Sequence, residues 1–329
     1  RAIGLDTGLT EIRQLAEQPA KVTNRPGKVR KVDLLDNFVE HVHSFIDVNS
    51  LRSLKIVVDT ANGMGGLVVP AAFKDLPFEY EILYEELDGT FPNHPADPLQ
   101  AENLVDLQRR VIESDADVGL AFDGDADRVF LVDENANLVS GSITTALVAS
   151  AILESHGPGP ILHNLICSRS TVEVIEAAGG DPIRTRVGHS YIKEVMAETG
   201  AMFGGEHSGH YYFARNYGAD SGLIAALIVL ERLSANQGSL SSLVAPLQRY
   251  ASSGEVNVEV INTSDAIETV SDFFSDQQQD RLDGLTVDCG EWWFNLRPSN
   301  TEPLLRLNVE GPDDGHVAHR VEQILALFG

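Results

Sequence analysis

The stretch LKIVVDTANGMGG at residues 54–66 decides the fold class of this 329-residue chain. Its first half is a continuous run of mostly aliphatic residues, which is typical of a strand buried on both faces of a sheet. A glycine-rich turn follows at once, and residues 31–46 before it carry apolar side chains at helical spacing. A helix, a buried strand and a tight turn in succession indicate an α/β architecture.

Strand and helix patterns alternate on the C-terminal side of this stretch. A strand pattern at residues 80–87 and a helix pattern through Leu107 and Val111 lead to two apolar runs at residues 118–122 and 129–133. From Gly141 the alternation of helix and strand repeats, at residues 143–155, 160–168, 171–179, 182–187, 190–198, 201–206 and 221–233. The chain is therefore expected to form two α/β units in succession.

After Tyr250 the pattern changes to alternating strands with two helices. The strands are predicted at residues 255–261, 284–299 and 304–311, and the helices at residues 264–274 and 317–328. We therefore predict two consecutive mixed α/β sheet domains followed by a smaller α+β C-terminal domain. A helix at residues 10–18 and a polar linker at residues 19–29 precede them, so the predicted segments are 1–29, 30–138, 139–252 and 253–329.

Composition and charge exclude several classes of protein. Lys and Arg number 24 against 49 Asp and Glu, a net charge of −25, which repels nucleic acid and anionic membrane surfaces. The longest apolar stretch, residues 223–230, is far shorter than the roughly 20 residues of a membrane span. Two cysteines, Cys167 and Cys289, are too few for a disulfide framework, and the N-terminus lacks signal-peptide features. We expect a cytoplasmic protein without nucleic-acid or membrane partners; its oligomeric state is not predicted.

The acidic turn AFDGDADRVF at residues 121–130 is a candidate metal site. Asp123, Asp125 and Asp127 lie at i, i+2 and i+4 between two strand patterns, and strand alternation would place all three carboxylates on one side. Hard oxygen ligands suit Mg²⁺, which keeps open positions for phosphate oxygens. Arg128 follows directly and could hold an anion beside the metal.

Two other interpretations of the acidic turn remain open. One is a solvated hairpin turn without a ligand. The other is an EF-hand loop, because Asp123, Asp125, Asp127 and Glu134 match positions 1, 3, 5 and 12 of that template. Arg128 occupies the position where an EF-hand needs glycine, and strand-like flanks replace the helices, so calcium sensing is disfavoured.

A second cluster, RPSNTEPLLRL at residues 297–307, resembles an anion site in its chemistry. Arg297, Ser299, Asn300, Thr301 and Arg306 provide two guanidinium groups, two hydroxyls and an amide, the donors that a phosphate dianion accepts. Because the whole chain is strongly acidic, this local group of donors stands out. The alternative is a polar hairpin loop in which Asn and Thr satisfy the turn.

Two motifs in the middle of the chain place histidines beside turns. In VGHSYIK, residues 187–193, Gly188 allows a tight turn and His189 lies at a helix N-terminus, which should lower its pKa and leave a neutral imidazole for proton exchange. In GGEHSGHYYF, residues 204–213, Glu206 could accept hydrogen bonds from sugar hydroxyls, with Ser208 and His210 close by. A structural cap at His189 is the alternative. A zinc site at Glu206, His207 and His210 is disfavoured, because the HExxH arrangement is missing.

Six motifs taken in order resemble the signatures of one enzyme family. DTANGMGG, DGTFPN, AFDGDADR, VGHSYIK, GGEHSGH and RPSNTEP are similar to those of the α-D-phosphohexomutases, the phosphomannomutase and phosphoglucomutase family, over nearly the whole chain. The form of RPSNTEP and GEHSGH resembles the phosphomannomutase type, or the type that accepts both mannose and glucose, more than phosphoglucosamine mutase.

The resemblance implies four domains around one cleft and a phosphorylated serine in the first. That serine donates its phosphoryl group to a hexose monophosphate, the hexose 1,6-bisphosphate reorients, and the other phosphoryl group returns to the serine. The implied site residues are the Mg²⁺ ligands Asp123, Asp125 and Asp127; the catalytic-centre residues Arg128 and His189; the sugar-contacting loops with Gly188, Glu206 and Ser208; and the phosphate contacts Arg297, Ser299, Asn300 and Thr301.

One departure from the family pattern is large. The serine loop of the form TASHNP is nowhere in the sequence, and Ser168 and Ser170 have no such context. We therefore expect the chain to represent the second to fourth domains, with residues 1–29 as a remnant of the first, and to be inactive alone. The alternatives are a non-catalytic phosphosugar-binding protein, a phosphoglucosamine mutase, and a metal-dependent hydrolase with Asp123 as nucleophile, for which no second acidic motif is found.

Overall fold

Three five-stranded sheets follow one another along the described part of the chain. The computed structural model describes Ile3 and residues 8–19, 27–299 and 304–328. Two of the sheets mix parallel and antiparallel strands and the third is antiparallel throughout. The predicted fold class, two mixed α/β sheet units and then an α+β unit, is confirmed.

The first sheet has the strand order β2-β1-β3-β4-β5. Strands β1 to β3 are parallel, and β4 and β5 continue the sheet antiparallel. Its strands are β1 (Lys55–Asp59), β2 (Glu79–Leu83), β3 (Val118–Phe122), β4 (Val129–Asp133) and β5 (Leu138–Val139). The helices up to this point are α1 (Leu9–Ala16), α2 (Leu35–His43), α3 (Gly65–Phe73) and α4 (Val105–Ser114).

The second sheet repeats this topology. Its order is β10-β9-β8-β6-β7, with parallel strands β7, β6 and β8 and then two antiparallel strands. Its strands are β6 (Pro160–Asn164), β7 (Asp181–Thr185), β8 (Phe203–Gly205), β9 (Tyr211–Phe213) and β10 (Ala219–Asp220). Its helices are α5 (Gly141–His156), α6 (Arg169–Ala177), α7 (His189–Thr199), α8 (Gly222–Ala235) and α9 (Leu240–Val244).

The third sheet has one polar and one apolar face. Its order is β11-β15-β14-β13-β12, from β11 (Ala251–Glu259), β12 (Gln278–Asp280), β13 (Leu285–Asp288), β14 (Trp293–Pro298) and β15 (Leu304–Gly311). Phe294, Leu296, Leu305, Leu307 and Val309 alternate with polar residues and pack in one core with α10 (Thr263–Phe273) and α11 (Asp314–Leu325). The polar residues at the alternate positions lie on the opposite face of the sheet, which faces the rest of the molecule.

The first two sheets share a hydrophobic core. Helices α5 and α8 are buried along most of their length, and their side chains belong to one cluster with strands of both sheets. The apolar run at residues 223–230 is thus an interior helix. Within the described residues no helix has the length and apolar character needed to span a membrane.

Several element boundaries differ from the sequence-based expectations. Helix α2 begins at Leu35 instead of residue 31, because the Asp33 carboxylate accepts a hydrogen bond from the Leu35 N–H and Val32 is exposed. The single strand expected at residues 284–299 is a hairpin of β13 and β14, turned at Gly290 with a φ of 83°. The short strands β9 and β10 were not predicted, since three and two residues give no detectable alternation.

Candidate active site

Two equivalent hairpin loops form the centre of the candidate site. Because the first two sheets share one strand order, the loop from β3 to β4 and the loop from β8 to β9 occupy the same topological position. The first loop carries Asp123 to Arg128, and the second carries Glu206 to His210. An isolated antiparallel bridge between Arg128 and His210 joins them, so two residues 82 positions apart in the sequence meet.

The metal loop, residues 123–127, brings three carboxylates together by a turn. One oxygen from each of Asp123, Asp125 and Asp127 lies within 4.8 Å of the others. The expectation that strand alternation aligns them is wrong, because the residues lie between strands and Ala126 has a φ of 63°. The turn after β1 supports this loop: Met64 N–H donates to Gly124 O at 2.9 Å, and a Cβ on Gly63 would lie 2.6 Å from that oxygen.

The carboxylates of the metal loop fit a hard divalent cation. Burial, and then the charge of Asp123, raises the pKa of Asp127 to about 7, and the same causes raise the pKa of Asp125. A cation among the oxygens would remove this repulsion, and an all-oxygen donor set is the one that Mg²⁺ prefers. The EF-hand alternative fails on geometry, because Glu134 accepts hydrogen bonds from the Ser241 N–H and hydroxyl instead.

The raised pKa of Asp127 predicts a stability cost in the metal-free protein. The folded chain retains a proton up to about pH 7 that the unfolded chain releases near pH 4, so the free energy of unfolding falls between these values. The Asp127→Asn variant should therefore gain a few degrees in melting temperature over wild type at pH 8 in EDTA, and less at pH 5. Thermal melts at both pH values check this; equal gains at the two pH values would contradict it.

Arg128 is held by carboxylates on two sides. Its Nε donates to Asp123 Oδ2 at 2.7 Å, its backbone N–H donates to Asp123 Oδ1 at 3.1 Å, and Nη1 lies 3.4 Å from Asp97 Oδ1. Asp97 lies shortly after the DGTFPN motif. The last residue of that motif, Asn93, donates from Nδ2 to Asn62 Oδ1 in the turn after β1 at 2.8 Å. The guanidinium group is thereby fixed beside the metal loop.

The two histidines of the site have opposite electrostatic environments. The rings of His189 and His210 contact edge to face, with centroids 4.3 Å apart. The expectation of a lowered pKa at His189 is wrong: the Asp220 carboxylate, whose Oδ2 lies 3.2 Å from His189 Nδ1, raises the pKa of His189. Burial, and then His189, lowers the pKa of His210 to about 4. The neutral imidazole is that of His210.

Asp220 is a site residue that the sequence did not reveal. Its side chain is 7% exposed, and Oδ1 lies 3.1 Å from Lys193 Nζ while Oδ2 faces His189. Burial opposes its ionisation, but the contacts with His189 and Lys193 outweigh burial and lower the pKa of Asp220. Asp220 reaches the site through β10, whose pairing with β9 has no signal in the sequence.

Glu206 joins the two loops that were predicted to contact the sugar, because it accepts a hydrogen bond from Gly188. This buried carboxylate accepts hydrogen bonds from Tyr212 OH at 2.8 Å, from Gly188 N–H at 3.2 Å and from Asn164 Nδ2 at 3.4 Å. Ser208 Oγ lies 3.0 Å from His210 Nδ1. Among the described residues, the histidine-containing group whose ligand atoms converge is His189, His210 and Asp220, not the disfavoured zinc set of Glu206, His207 and His210.

The predicted phosphate cluster lies on the polar face of the third sheet. Arg297 and Arg306 are directly opposite each other on β14 and β15, and both contact the carboxylate of Glu255 on β11. Ser299 N–H donates to Leu304 O at 2.8 Å. Asn300 and Thr301 lie outside the described residues.

A cleft of about 760 Å³ lies between the loop that carries Ser208 and the predicted phosphate cluster. Its walls come from all three units: Phe130 and Ser140 adjoin the first sheet, Val187 and Ser208 belong to the second, and Arg297 to the third. Ser208 contacts His210, and His210 Nε2 lies 3.6 Å from Asp127 Oδ1. A chain of contacts therefore runs from the metal loop to the cleft that Arg297 lines.

Comparisons with known proteins match three successive parts of the chain to one family. Three family models described as phosphoglucomutase/phosphomannomutase match the chain in this order: alpha/beta/alpha domain II at residues 36–137, alpha/beta/alpha domain III at 140–250 and the C-terminal domain at 255–327. The chain belongs to the phosphoglucomutase/phosphomannomutase family. The suspected family is confirmed, and its second, third and last domains correspond to the three sheets.

Relatives within this family include two bacterial phosphomannomutases. That of Salmonella montevideo is 39% identical over 340 residues, covering 100% of this chain and 75% of the relative. That of Escherichia coli strain K12 is 40% identical over 326 residues, covering 95% of this chain and 71% of the relative. A solved structure of a family protein from Burkholderia thailandensis has a TM-score of 0.81 at 32% identity, covering 90% of this chain and 64% of that chain.

Proposed function

We propose that this chain provides the metal, sugar and phosphate sites of a phosphohexomutase that interconverts hexose 6-phosphate and hexose 1-phosphate in the cytoplasm. The observation that carries the proposal is the continuous contact from the metal loop, through Arg128 and His210, to the cleft lined by Ser208 and Arg297. Mannose phosphates are the proposed substrates, with glucose phosphates second, because the relatives at 39% and 40% identity are phosphomannomutases.

The residues beside the metal loop would position the group in transfer. Asp123, Asp125 and Asp127 would hold Mg²⁺, which neutralises charge on phosphoryl oxygens when bound. Arg128 is fixed by Asp123 and Asp97, so its remaining N–H groups are oriented before a phosphate arrives. Such preorganised donors stabilise the charge that develops in phosphoryl transfer.

His189 is the proposed proton carrier for the sugar hydroxyl. Its Nδ1 lies 3.1 Å from Tyr212 OH and 3.2 Å from Asp220 Oδ2, and these contacts orient the ring and leave Nε2 as the nitrogen available for exchange. The side chain is 49% exposed, and its ring contacts that of His210, whose Nδ1 lies 3.0 Å from Oγ of the cleft-lining Ser208. Glu206 and Ser208 are proposed sugar contacts, and Gly188 places the backbone of the sugar loop through its bond to Glu206.

The phosphoryl donor is the part that the described residues do not provide. Ser168 caps α6 by accepting from the Ser170 N–H, and Ser170 donates its hydroxyl to Leu247 O, so both serines have structural partners. A family first domain with a phosphorylated serine, acting through a hexose 1,6-bisphosphate, is therefore part of the proposal. The 329-residue chain alone should bind mannose 1-phosphate weakly and produce neither mannose 6-phosphate nor inorganic phosphate.

Phosphorus NMR of the chain with mannose 6-phosphate, Mg²⁺ and a catalytic amount of mannose 1,6-bisphosphate tests this statement. Broadening or displacement of the substrate resonance without new signals is the expected result. Release of inorganic phosphate at an enzymatic rate would favour the hydrolase alternative, with Asp123 as nucleophile. Appearance of mannose 1-phosphate would show a nucleophile within the chain, and Ser168 and Ser170 would then be the first to substitute.

A further inference from the structure

We propose that Glu255 is an internal competitor of the substrate phosphate for Arg297 and Arg306, and that it speeds release of phosphate from the third sheet. This inference rests on the proposed function, because it concerns the phosphate cluster of that cleft. It assigns to a residue outside the RPSNTEP motif an influence on the affinity for phosphate and on the rate of phosphate dissociation.

Strand register places the three charged side chains on one face of the third sheet. Arg297 on β14 pairs with Arg306 on β15, and Arg306 pairs with Asn257 on β11. Glu255 lies two residues before Asn257, so it points to the same face. The residues next to them in each strand, Leu296, Leu307 and Val256, pack in the apolar core on the other face of the sheet.

Glu255 uses each of its two oxygens for one arginine. Arg297 Nη2 donates to Oε2 at 2.8 Å, and Arg306 Nη1 lies 3.1 Å from Oε1. This is the geometry in which two guanidinium groups would clasp two oxygens of a phosphate. The carboxylate therefore imitates the ligand that this cluster is proposed to bind.

The three side chains differ in their access to solvent. The Arg297 side chain is 5% exposed, whereas those of Glu255 and Arg306 are 23% and 27% exposed and line the cleft. Buried Arg297 also has an Nε atom without a hydrogen-bond partner, so its donors are not all satisfied by Glu255. An incoming phosphate can thus displace Glu255 toward the cleft while Arg297 stays in place.

The charges make the competition reversible. Glu255 neutralises part of the positive charge with which the two guanidinium groups attract a phosphate dianion, and the displaced carboxylate repels that dianion. Affinity is lower than two free arginines would give, and dissociation is faster. The proposed reaction needs fast dissociation, because the bisphosphate must leave this cluster and turn around once in each cycle.

The test compares Glu255→Gln with wild type and with Glu259→Gln, a charge-matched control at an exposed position of the same strand. Glutamine keeps a carbonyl acceptor for one arginine but loses the charge. Calorimetry with mannose 1-phosphate should show about tenfold or tighter binding for Glu255→Gln and unchanged binding for Glu259→Gln. Stopped-flow displacement of mannose 1,6-bisphosphate should show a correspondingly slower dissociation.

A purely structural role predicts the opposite sign. If Glu255 only holds the arginines in position, Glu255→Gln weakens binding or leaves it equal at an unchanged melting temperature, and the inference is overturned. If the glutamine variant does not fold, Glu255→Ser, a smaller neutral substitution, should show the same tightening. If wild type binds mannose 1-phosphate but Glu255→Gln binds no more tightly, this inference is removed and the proposed function is left intact. If neither wild type nor any variant binds mannose 1-phosphate, the inference and the proposed function are both removed.

Discussion

The Arg297→Ala variant should bind mannose 1-phosphate about 10- to 150-fold more weakly than wild type, equivalent to losing about 1.5 to 3 kcal/mol. The guanidinium group of Arg297 is buried and fixed on β14, so little side-chain entropy is lost when it binds an anion. Its removal also frees Glu255 from one partner and leaves that carboxylate facing the ligand. Both consequences act against phosphate binding.

Calorimetry at constant salt concentration measures this loss. Arg281→Ala is the matched control, because Arg281 lies in the same unit, is 45% exposed and pairs with Glu268. The control should bind as wild type does, which separates the specific contact from the change in net charge. Equal affinity of Arg297→Ala and wild type, with both proteins folded, would remove Arg297 from the phosphate site.

The Asp125→Ala variant should lose about 100-fold or more in Mg²⁺ affinity. Asp125 is the exposed member of the metal loop, so its removal should leave the fold intact, whereas Asp123 also holds Arg128. Two carboxylates with one arginine beside them offer a divalent cation too few anionic oxygens. Affinity in the wild type is itself expected to be weak, since no phosphoserine oxygen completes the coordination.

Calorimetric titration with MgCl₂ at pH 8 measures the affinity, because Asp127 is then ionised in wild type. Asp75→Ala, at an exposed position of the same unit, removes the same charge away from the loop and should change nothing. Unchanged Mg²⁺ binding by Asp125→Ala would show that the metal loop is not the metal site.

Local patterns predicted much of this protein correctly. The buried run at residues 54–66 is β1 and its turn, and the turn supports the metal loop as well as the sheet. The three carboxylates of the metal loop were found because their spacing lies within five residues of sequence. Motifs whose residues are neighbours in the chain can be recognised in the sequence, and the six family motifs are of this kind.

Residues that act through distant strand pairing were missed. Asp220 and Glu255 reach the site through β10 and β11, whose partners β9 and β15 are set by tertiary structure. The error at His189 has the same origin: a helix N-terminus contributes about 0.3 to 1 kcal/mol at an exposed position, and a carboxylate 3.2 Å away outweighs it. Without Asp220, the direction of that pKa shift could not be predicted.

Phosphorus NMR of mannose 6-phosphate turnover tests the central claim most directly when the chain is joined to the first domain of the Salmonella montevideo phosphomannomutase. With Mg²⁺ and catalytic mannose 1,6-bisphosphate, the joined protein should produce mannose 1-phosphate at an enzymatic rate, and Asp125→Ala in the same protein should abolish it. A folded joined protein that binds mannose 1-phosphate but yields no mannose 1-phosphate from the 6-phosphate would contradict the mutase account and favour a phosphosugar-binding protein.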